Sequence, residues 1–256
     1  MLPKALNNKR ILICRPDESA TELANTFSAL GAECRIFPTL EICSVDIPPE
    51  QKQRILSLDQ YRYVIVTSQH AAKAGLTLID AYWPQFPIDQ IWLAIGSKTA
   101  SILKNETIKL VAPDKDFTSE TLLKLPLLQK VKDEKILILK GKEGRDTLQN
   151  VLDKRGAKVD IVELYERKCP AYSKEQVMNA VQEFDARYLI TLSGETLQNL
   201  FSLCAEHNIN LSSKTFVVPS HRVANIAYEA GFKSVLVPTG LKPIDLIKSI
   251  TNHKNT

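Results

Sequence analysis

The sequence is poor in the residues that signal most cofactor and metal chemistry. Only nine of its 256 residues are glycine. None forms a G-x-G-x-x-G run behind an apolar strand, so a dinucleotide site is not expected. The G-x-x-x-x-G-K-[ST] phosphate loop, H-E-x-x-H and G-x-S-x-G are all missing. The four histidines (His70, His207, His221 and His253) stand too far apart for ligand spacing, so no metal site is expected. The five cysteines (Cys14, Cys34, Cys43, Cys169 and Cys204) are odd in number and form no C-x-x-C pair. They read as reduced structural thiols of a cytoplasmic protein. No apolar run approaches the roughly 20 residues a membrane span needs. The first ten residues, MLPKALNNKR, lack the apolar core of a signal peptide. Lysine and arginine number 33 against 29 aspartates and glutamates, a formal charge of +4 with no dense basic stripe. That excludes the electrostatic footprint of a nucleic-acid binder and suits an anionic small molecule.

What is present is an internal repeat. Tyr63-Val-Ile-Val-Thr-Ser68 is a short buried strand closed by hydroxyl residues, and a helical pattern follows at once from Gln69 to Leu76. The same order recurs at Tyr188-Leu-Ile-Thr-Leu-Ser193, followed by Gly194 to Phe201. Ile91–Leu103 answers Thr215–Ala227, and Lys109–Pro113 answers Ser234–Pro238. Each of this last pair leads to a helix, at Ser119–Leu125 and at Pro243–Ile250. Arg10–Ile42 matches Lys135–Arg167 almost step for step.

In chain order, Arg10–Cys14 is a strand broken by Arg15-Pro16-Asp17. A helix follows, with Ala20, Leu23, Ala24, Phe27 and Leu30 on one face and Gly31 as its C-cap. Ala32–Phe37 is a second strand. Pro38–Cys43 continues extended, because Pro38 and Pro48-Pro49 discourage helix, and a short helix ends near Leu56 to Leu58. Three strand–helix units follow. Lys135–Lys140 opens the second copy, a turn covers Gly141–Arg145, and Leu148, Val151 and Leu152 mark a helix face that Gly156 caps. Lys158–Leu164 is a strand running into Tyr165–Pro170, and a helix over Lys174–Phe184 leads to the closing units. Short apolar strands alternating with helices predict parallel sheets covered on both faces, hence two α/β domains. Two arrangements remain open on this evidence: one domain per repeat, or a chain that crosses between domains twice, at the extended stretches near Pro38–Cys43 and Tyr165–Ala171.

In open parallel sheets, ligands bind beyond the carboxyl ends of the strands. Those ends are small and hydroxylated here: Thr67-Ser68, Gly96-Ser97-Lys98-Thr99, Lys140-Gly141, Ser193-Gly194 and Pro219-Ser220. Helix starts carry free N–H groups and partial positive charge, which hold carboxylates. Taken singly, each hydroxyl reads first as a helix cap, and it is the recurrence of the pattern in both copies that points to a ligand. Lys140–Arg145, with two glycines among charged residues, reads on its own as a solvated loop. Tyr165 ends a strand at a candidate crossing. It reads either as a tyrosine packed on a hinge or as a phenol able to donate a hydrogen bond to a leaving group.

Taken together, "ILICRP" at 11–16, "VIVTS" at 64–68, "AIGSKTA" at 94–100, "SETLL" at 119–123, "ILILKGKEGRDTL" at 136–148, "VELYER" at 162–167 and "ITLSGETLQNL" at 190–200 resemble the uroporphyrinogen-III synthase family over nearly the whole chain. The resemblance implies two Rossmann-like (flavodoxin-like) domains with parallel sheets, joined by a two-stranded β-ladder. It places 1–36 with 172–256 in one domain, 44–164 in the other, and linker strands at 37–43 and 165–171. The implied reaction is cyclisation of linear hydroxymethylbilane to uroporphyrinogen III, with inversion of ring D and loss of water, in an interdomain cleft. No metal or organic cofactor is implied. Loss of the hydroxyl gives an azafulvene-like electrophile, and attack at the substituted ring-D carbon gives a spiro intermediate that fragments and recloses. The enzyme's main task is then orientation.

Carried over by position, Tyr165 resembles a tyrosine that assists departure of the hydroxyl. Ser68, Thr99 and Ser193 resemble residues lining the substrate cleft. Ser220 falls in a turn where relatives often carry a small hydroxyl residue, although Val223 stands where threonine is common. Arg15, Lys98 and Arg145 are candidate electrostatic contributors to substrate binding, each with surface charge as the equal reading. The expected protein is a cytoplasmic monomer without nucleic-acid or membrane partners, in transient contact with the preceding pathway enzyme. Two other readings compete: a two-domain protein that binds an anionic small molecule without reacting it, and a structural α/β pair whose hydroxyls only cap helices.

Overall fold

The structure, a computed structural model, describes residues 5–16, 18–104, 108–111 and 118–253. Asp17, named above as part of a break, and Pro113, named as a strand end, lie outside the described residues. The chain divides into two compact units: Met1–Glu41 with Lys168–Thr256, and Ile42–Arg167.

The first unit opens with β1 (Arg10–Ile13), α1 (Glu18–Ser28) and β2 (Glu33–Ile36). The chain then runs through β3 (Glu41–Ser44), α2 (Pro49–Leu56), β4 (Tyr63–Val66), α3 (Gln69–Asp80), β5 (Ile91–Ala94), α4 (Ser97–Leu103), β6 (Lys109–Val111), α5 (Ser119–Leu122), β7 (Lys135–Gly141), α6 (Thr147–Lys154) and β8 (Lys158–Lys168). The first unit is completed by α7 (Lys174–Val177), β9 (Tyr188–Ile190), α8 (Gly194–Glu206), β10 (Thr215–Val217), α9 (His221–Glu229), β11 (Val235–Leu236) and α10 (Pro243–Asn252). No helix among the described residues is long and apolar enough to cross a membrane.

One sheet has the order β11-β10-β9-β1-β2 and the other β3-β8-β7-β4-β5-β6. The repeat explains both. Read from β2, the first sheet runs second, first, third, fourth, fifth strand of the repeat. From β8 onward the second sheet runs in the same order. There the chain enters at the third strand and supplies the first two last. The ladders agree residue by residue: Arg10 pairs with Glu33 as Lys135 pairs with Lys158, and Ile11 faces Tyr188 as Ile136 faces Tyr63. The strand beyond the repeat is β3, at the edge beside β8.

Strands buried on both faces need no polar alternation. Leu12 and Cys14 enter one core of the first unit, with Leu189, Leu200 and Phe216, while Ile11 and Ile13 enter the core on the other face with Phe27 and Leu246. In the second unit Val64 and Val66 pack with Trp92 and Leu164, and Tyr63 and Ile65 pack with Leu93 and Leu152. None of the five cysteines forms a disulfide. Burial pushes the Cys204 thiol up to about 12, so it behaves as a small apolar side chain.

The short helix expected to end near Leu56 to Leu58 is α2, and Pro49 occupies its first turn, where a missing N–H costs nothing and the fixed φ suits a helix. Two local expectations are revised. The helix expected over 119–125 is shorter: α5 ends at Leu122, before Pro126 opens a 3-10 turn. The helix expected over 174–184 begins as α7 and continues through Met178–Glu183 in wider π turns.

Leu200 on α8 is fully buried in a core of the first unit. Leu200→Ala is expected to lower stability by about 2–5 kcal/mol in denaturant unfolding. A loss under about 1 kcal/mol would mean that this core is far looser than its burial indicates.

Candidate active site at the strand ends of the second unit

The second unit carries a cavity of about 350 Å³ beyond the carboxyl ends of β4, β5 and β7. Thr67 and Ser68 line it from the end of β4, Ile95 from beyond β5, Lys140, Gly141, Glu143, Gly144 and Arg145 from the end of β7 and the turn after it, and Tyr165 and Arg167 from β8. The start of α5, Thr118 to Glu120, closes another side. Three cationic side chains (Lys140, Arg145, Arg167) face two carboxylates (Glu120, Glu143).

Tyr165 is the centre of this wall. Its hydroxyl lies 3.0 Å from the Ser68 hydroxyl. Ser68 is the N-cap of α3, in extended conformation, and its oxygen accepts the Ala71 backbone N–H at 3.1 Å. The His70 ring tilts against the Tyr165 ring with centroids 5.6 Å apart. The Ser68 oxygen keeps a second lone pair beside the one that accepts from Ala71, so either hydroxyl can donate to the other, and in one arrangement Ser68 donates its hydrogen to the phenol oxygen. The phenol hydrogen is then left for a third oxygen in the cavity. Such a chain strengthens each bond after the first. It also starts at a helix N-terminus, whose partial positive charge favours negative charge developing on the phenol oxygen.

A buried lysine stands beside it. The Lys140 side chain is only 6% exposed, and its Nζ reaches Asp146 Oδ1 at 2.8 Å, while the Asp146 side chain is 64% exposed. At Gly144 an added Cβ would meet Lys140 Cε at 2.9 Å, so the glycine makes room for the lysine stem. Arg145 is largely exposed and 3.8 Å from Glu120. The Glu120 carboxyl is held below its ordinary value, first by its own backbone N–H, then by the Thr118 hydroxyl, with a smaller attraction from Arg145.

Of the residues singled out in the sequence, Tyr165, Ser68 and Arg145 line this cavity. Lys98 and Thr99 do not: they lie in the first turn of α4, Lys98 exposed and Thr99 almost fully buried, behind Gly96 at φ +89°. Ser193, Ser220 and Arg15 belong to the other unit. Ser193 caps α8 in a capping box with Thr196, repeating the role of Ser68 on α3. Ser220 is the N-cap residue of α9, but its hydroxyl makes no cap bond. Arg15 is half-buried just beyond β1. The sequence marks Lys140-Gly141 as a strand end, but with the loop read as solvated it gives Lys140 no role. The repeat held the signal: Lys140 follows the start of β7 as Arg15 follows the start of β1.

The architecture and the strand-end cavity define a class: a doubly wound α/β protein with a polar cavity beside helix starts at the carboxyl ends of its strands. Comparison with known proteins makes this specific. The family described as uroporphyrinogen-III synthase HemD matches residues 3–248. Uroporphyrinogen-III synthase of Escherichia coli (strain K12) is 32% identical over 235 residues, covering 89% of this chain and 94% of that protein. The Salmonella typhimurium enzyme of the same name is 32% identical over 232 residues, with the same coverage. The fold is shared with uroporphyrinogen-III synthetase from Helicobacter pylori (TM-score 0.60, 16% identity, 94% of this chain and 97% of that one). It is shared equally with a mutant synthase from Thermus thermophilus (TM-score 0.60, 20% identity, 94% and 96%). The chain belongs to the uroporphyrinogen-III synthase family, and it is accordingly an enzyme, a lyase of porphyrin biosynthesis acting on a tetrapyrrole.

If Ser68 both caps α3 and supports the phenol, Ser68→Ala lowers stability by about 1 kcal/mol. It also lowers turnover about fivefold to tenfold, the kinetic equivalent of one hydrogen bond. Ser68→Thr restores both. Unchanged turnover alongside a lowered melting temperature would reduce Ser68 to a cap.

Proposed function

We propose that this chain cyclises hydroxymethylbilane to uroporphyrinogen III with inversion of ring D, and that the hydroxyl departs beside Tyr165. The observation that carries this reading is the Tyr165–Ser68 contact, a phenol in a cavity wall with its oxygen backed by a helix-capping hydroxyl. The pyrrole nitrogen's lone pair expels the hydroxyl, which leaves as water with the phenol proton. The phenol oxygen is then stabilised by Ser68 and, through it, by the Ala71 N–H. The carbocation attacks the substituted ring-D carbon, the spiro intermediate fragments and recloses, and the proton released at closure restores Tyr165. Because the substrate's own electrons drive the loss, one weak acid held in place is sufficient, and rate and isomer choice rest on orientation. The chemistry calls for neither metal nor organic cofactor.

The substrate's carboxylates are met by Lys140 and Arg145 and by the N–H groups at the starts of α3 and α5. Thr99 and Lys98 on α4, and Ser193, Ser220 and Arg15 at the strand ends of the other unit, are proposed as further substrate-binding positions. Support for Ser193 and Arg15 comes from the repeat, which gives Ser193 the place of Ser68 and Arg15 that of Lys140. The unit boundaries after Glu41 and after Arg167 support 37–43 and 165–171 as the two crossings of the chain. Five cysteines without a disulfide support a reducing, cytoplasmic setting. The enzyme is proposed to work there as a monomer that receives its unstable substrate by transient contact with the enzyme that makes it.

Tyr165→Phe is expected to lower kcat at least about tenfold, within the usual reach of a lost general acid. The circular dichroism spectrum and melting temperature should stay close to the parent. Near-normal turnover would remove Tyr165 from the mechanism.

A further inference from the structure

Gly141 ends β7 directly opposite Tyr165. Its φ is not in the left-handed region, so its backbone does not require glycine. What excludes a side chain is space. A Cβ built on Gly141 would lie 2.6 Å from Cζ, 2.7 Å from Cε2 and 3.0 Å from Cε1 of Tyr165. The ring therefore rests directly on the glycine Cα.

The pairing that produces this is irregular. Lys140 faces Glu163, but Gly141 faces Tyr165, so Leu164 is an extra residue in β8. Leu164 is buried with Val162 in the core that also receives Tyr165. A bulge of this kind re-aims the side chain that follows it. Without it, Gly141 would face Leu164 and the phenol would not stand over the glycine.

We infer that Gly141, together with the Leu164 bulge, is a positioning residue for the known reaction: it seats the Tyr165 ring at the depth where its hydroxyl meets Ser68 at 3.0 Å. This rests on the proposed role of Tyr165. An added methyl group has to push the ring out by about 1 Å to regain ordinary carbon–carbon contact. The ring is the free end of its side chain, whereas β7 is held by β4 as far as Leu139 and by β8 as far as Gly141, so the ring moves and the strand stays. A hydrogen bond stretched by that amount is lost, and a displacement near 1 Å at a reacting group can cost about 100-fold in rate.

The test is a cycle of Gly141→Ala and Tyr165→Phe, with kcat, KM and melting temperature measured on all four proteins. Gly141→Ala alone is expected to lower kcat about 10- to 100-fold with KM within about twofold. In the Tyr165→Phe background, where the hydroxyl is already gone, it lowers kcat by less than about twofold. An equal loss of kcat in both backgrounds overturns the inference, as does undiminished kcat in Gly141→Ala beside a crippled Tyr165→Phe. Undiminished kcat in Tyr165→Phe itself removes the role of Tyr165 and the seat with it. If Gly141→Ala does not fold, Gly141→Ala/Tyr165→Leu decides the matter. The smaller side chain relieves the contact and restores folding, and continued failure to fold overturns the inference.

Discussion

The contact between the Tyr165 and Ser68 hydroxyls depends on three separate features of the second unit. The end of β4 must deliver Ser68 as the cap of α3. The end of β8 must deliver a phenol at the same height, which takes the extra residue at Leu164. The end of β7 must offer no side chain beneath the ring, which is met by Gly141. Parallel strands with aligned carboxyl ends bring such parts together without long loops, and helix starts then supply N–H groups to the same place. Lys140 adds the charge. Burying a lysine against a mostly exposed aspartate contributes little to stability, and the role proposed for this wall, meeting a polycarboxylate substrate, would account for it.

The two units use one plan with the chain threaded differently. In the first, the strands of the repeat come in order. In the second, the chain enters at the third strand, and the first two arrive last as β7 and β8. The same ladder offsets survive this permutation because they are set by packing on both faces of the sheet, where a slip of one residue would exchange the two cores. The permutation also leaves β8 as the strand that runs out of its unit, up to Lys168. Tyr165 therefore stands close to the point where the chain passes from one unit to the other, although its contacts lie within the second unit.

The alternation of strand and helix was legible because buried parallel strands are nearly continuous apolar runs, as at Tyr63–Val66 and Ile136–Leu139, and helix starts carry hydroxyl caps. The equivalence of Ser68 and Ser193 could be read for the same reason. Lys140 and Gly141 were not, because their roles are set by neighbours across the sheet. A lysine after four apolar residues reads as the polar end of a strand, and a glycine beside it reads as a turn. Only the register shift at Leu164 puts Tyr165 over that glycine, and no local pattern in 158–168 marks a bulge.

The central claim is that this chain steers an unstable linear tetrapyrrole to the isomer with ring D inverted. The most direct test is to generate hydroxymethylbilane in situ, add the protein, oxidise the products and separate uroporphyrin I from uroporphyrin III by chromatography. The account predicts that type III dominates. Type I alone, in the presence of folded protein, would contradict it.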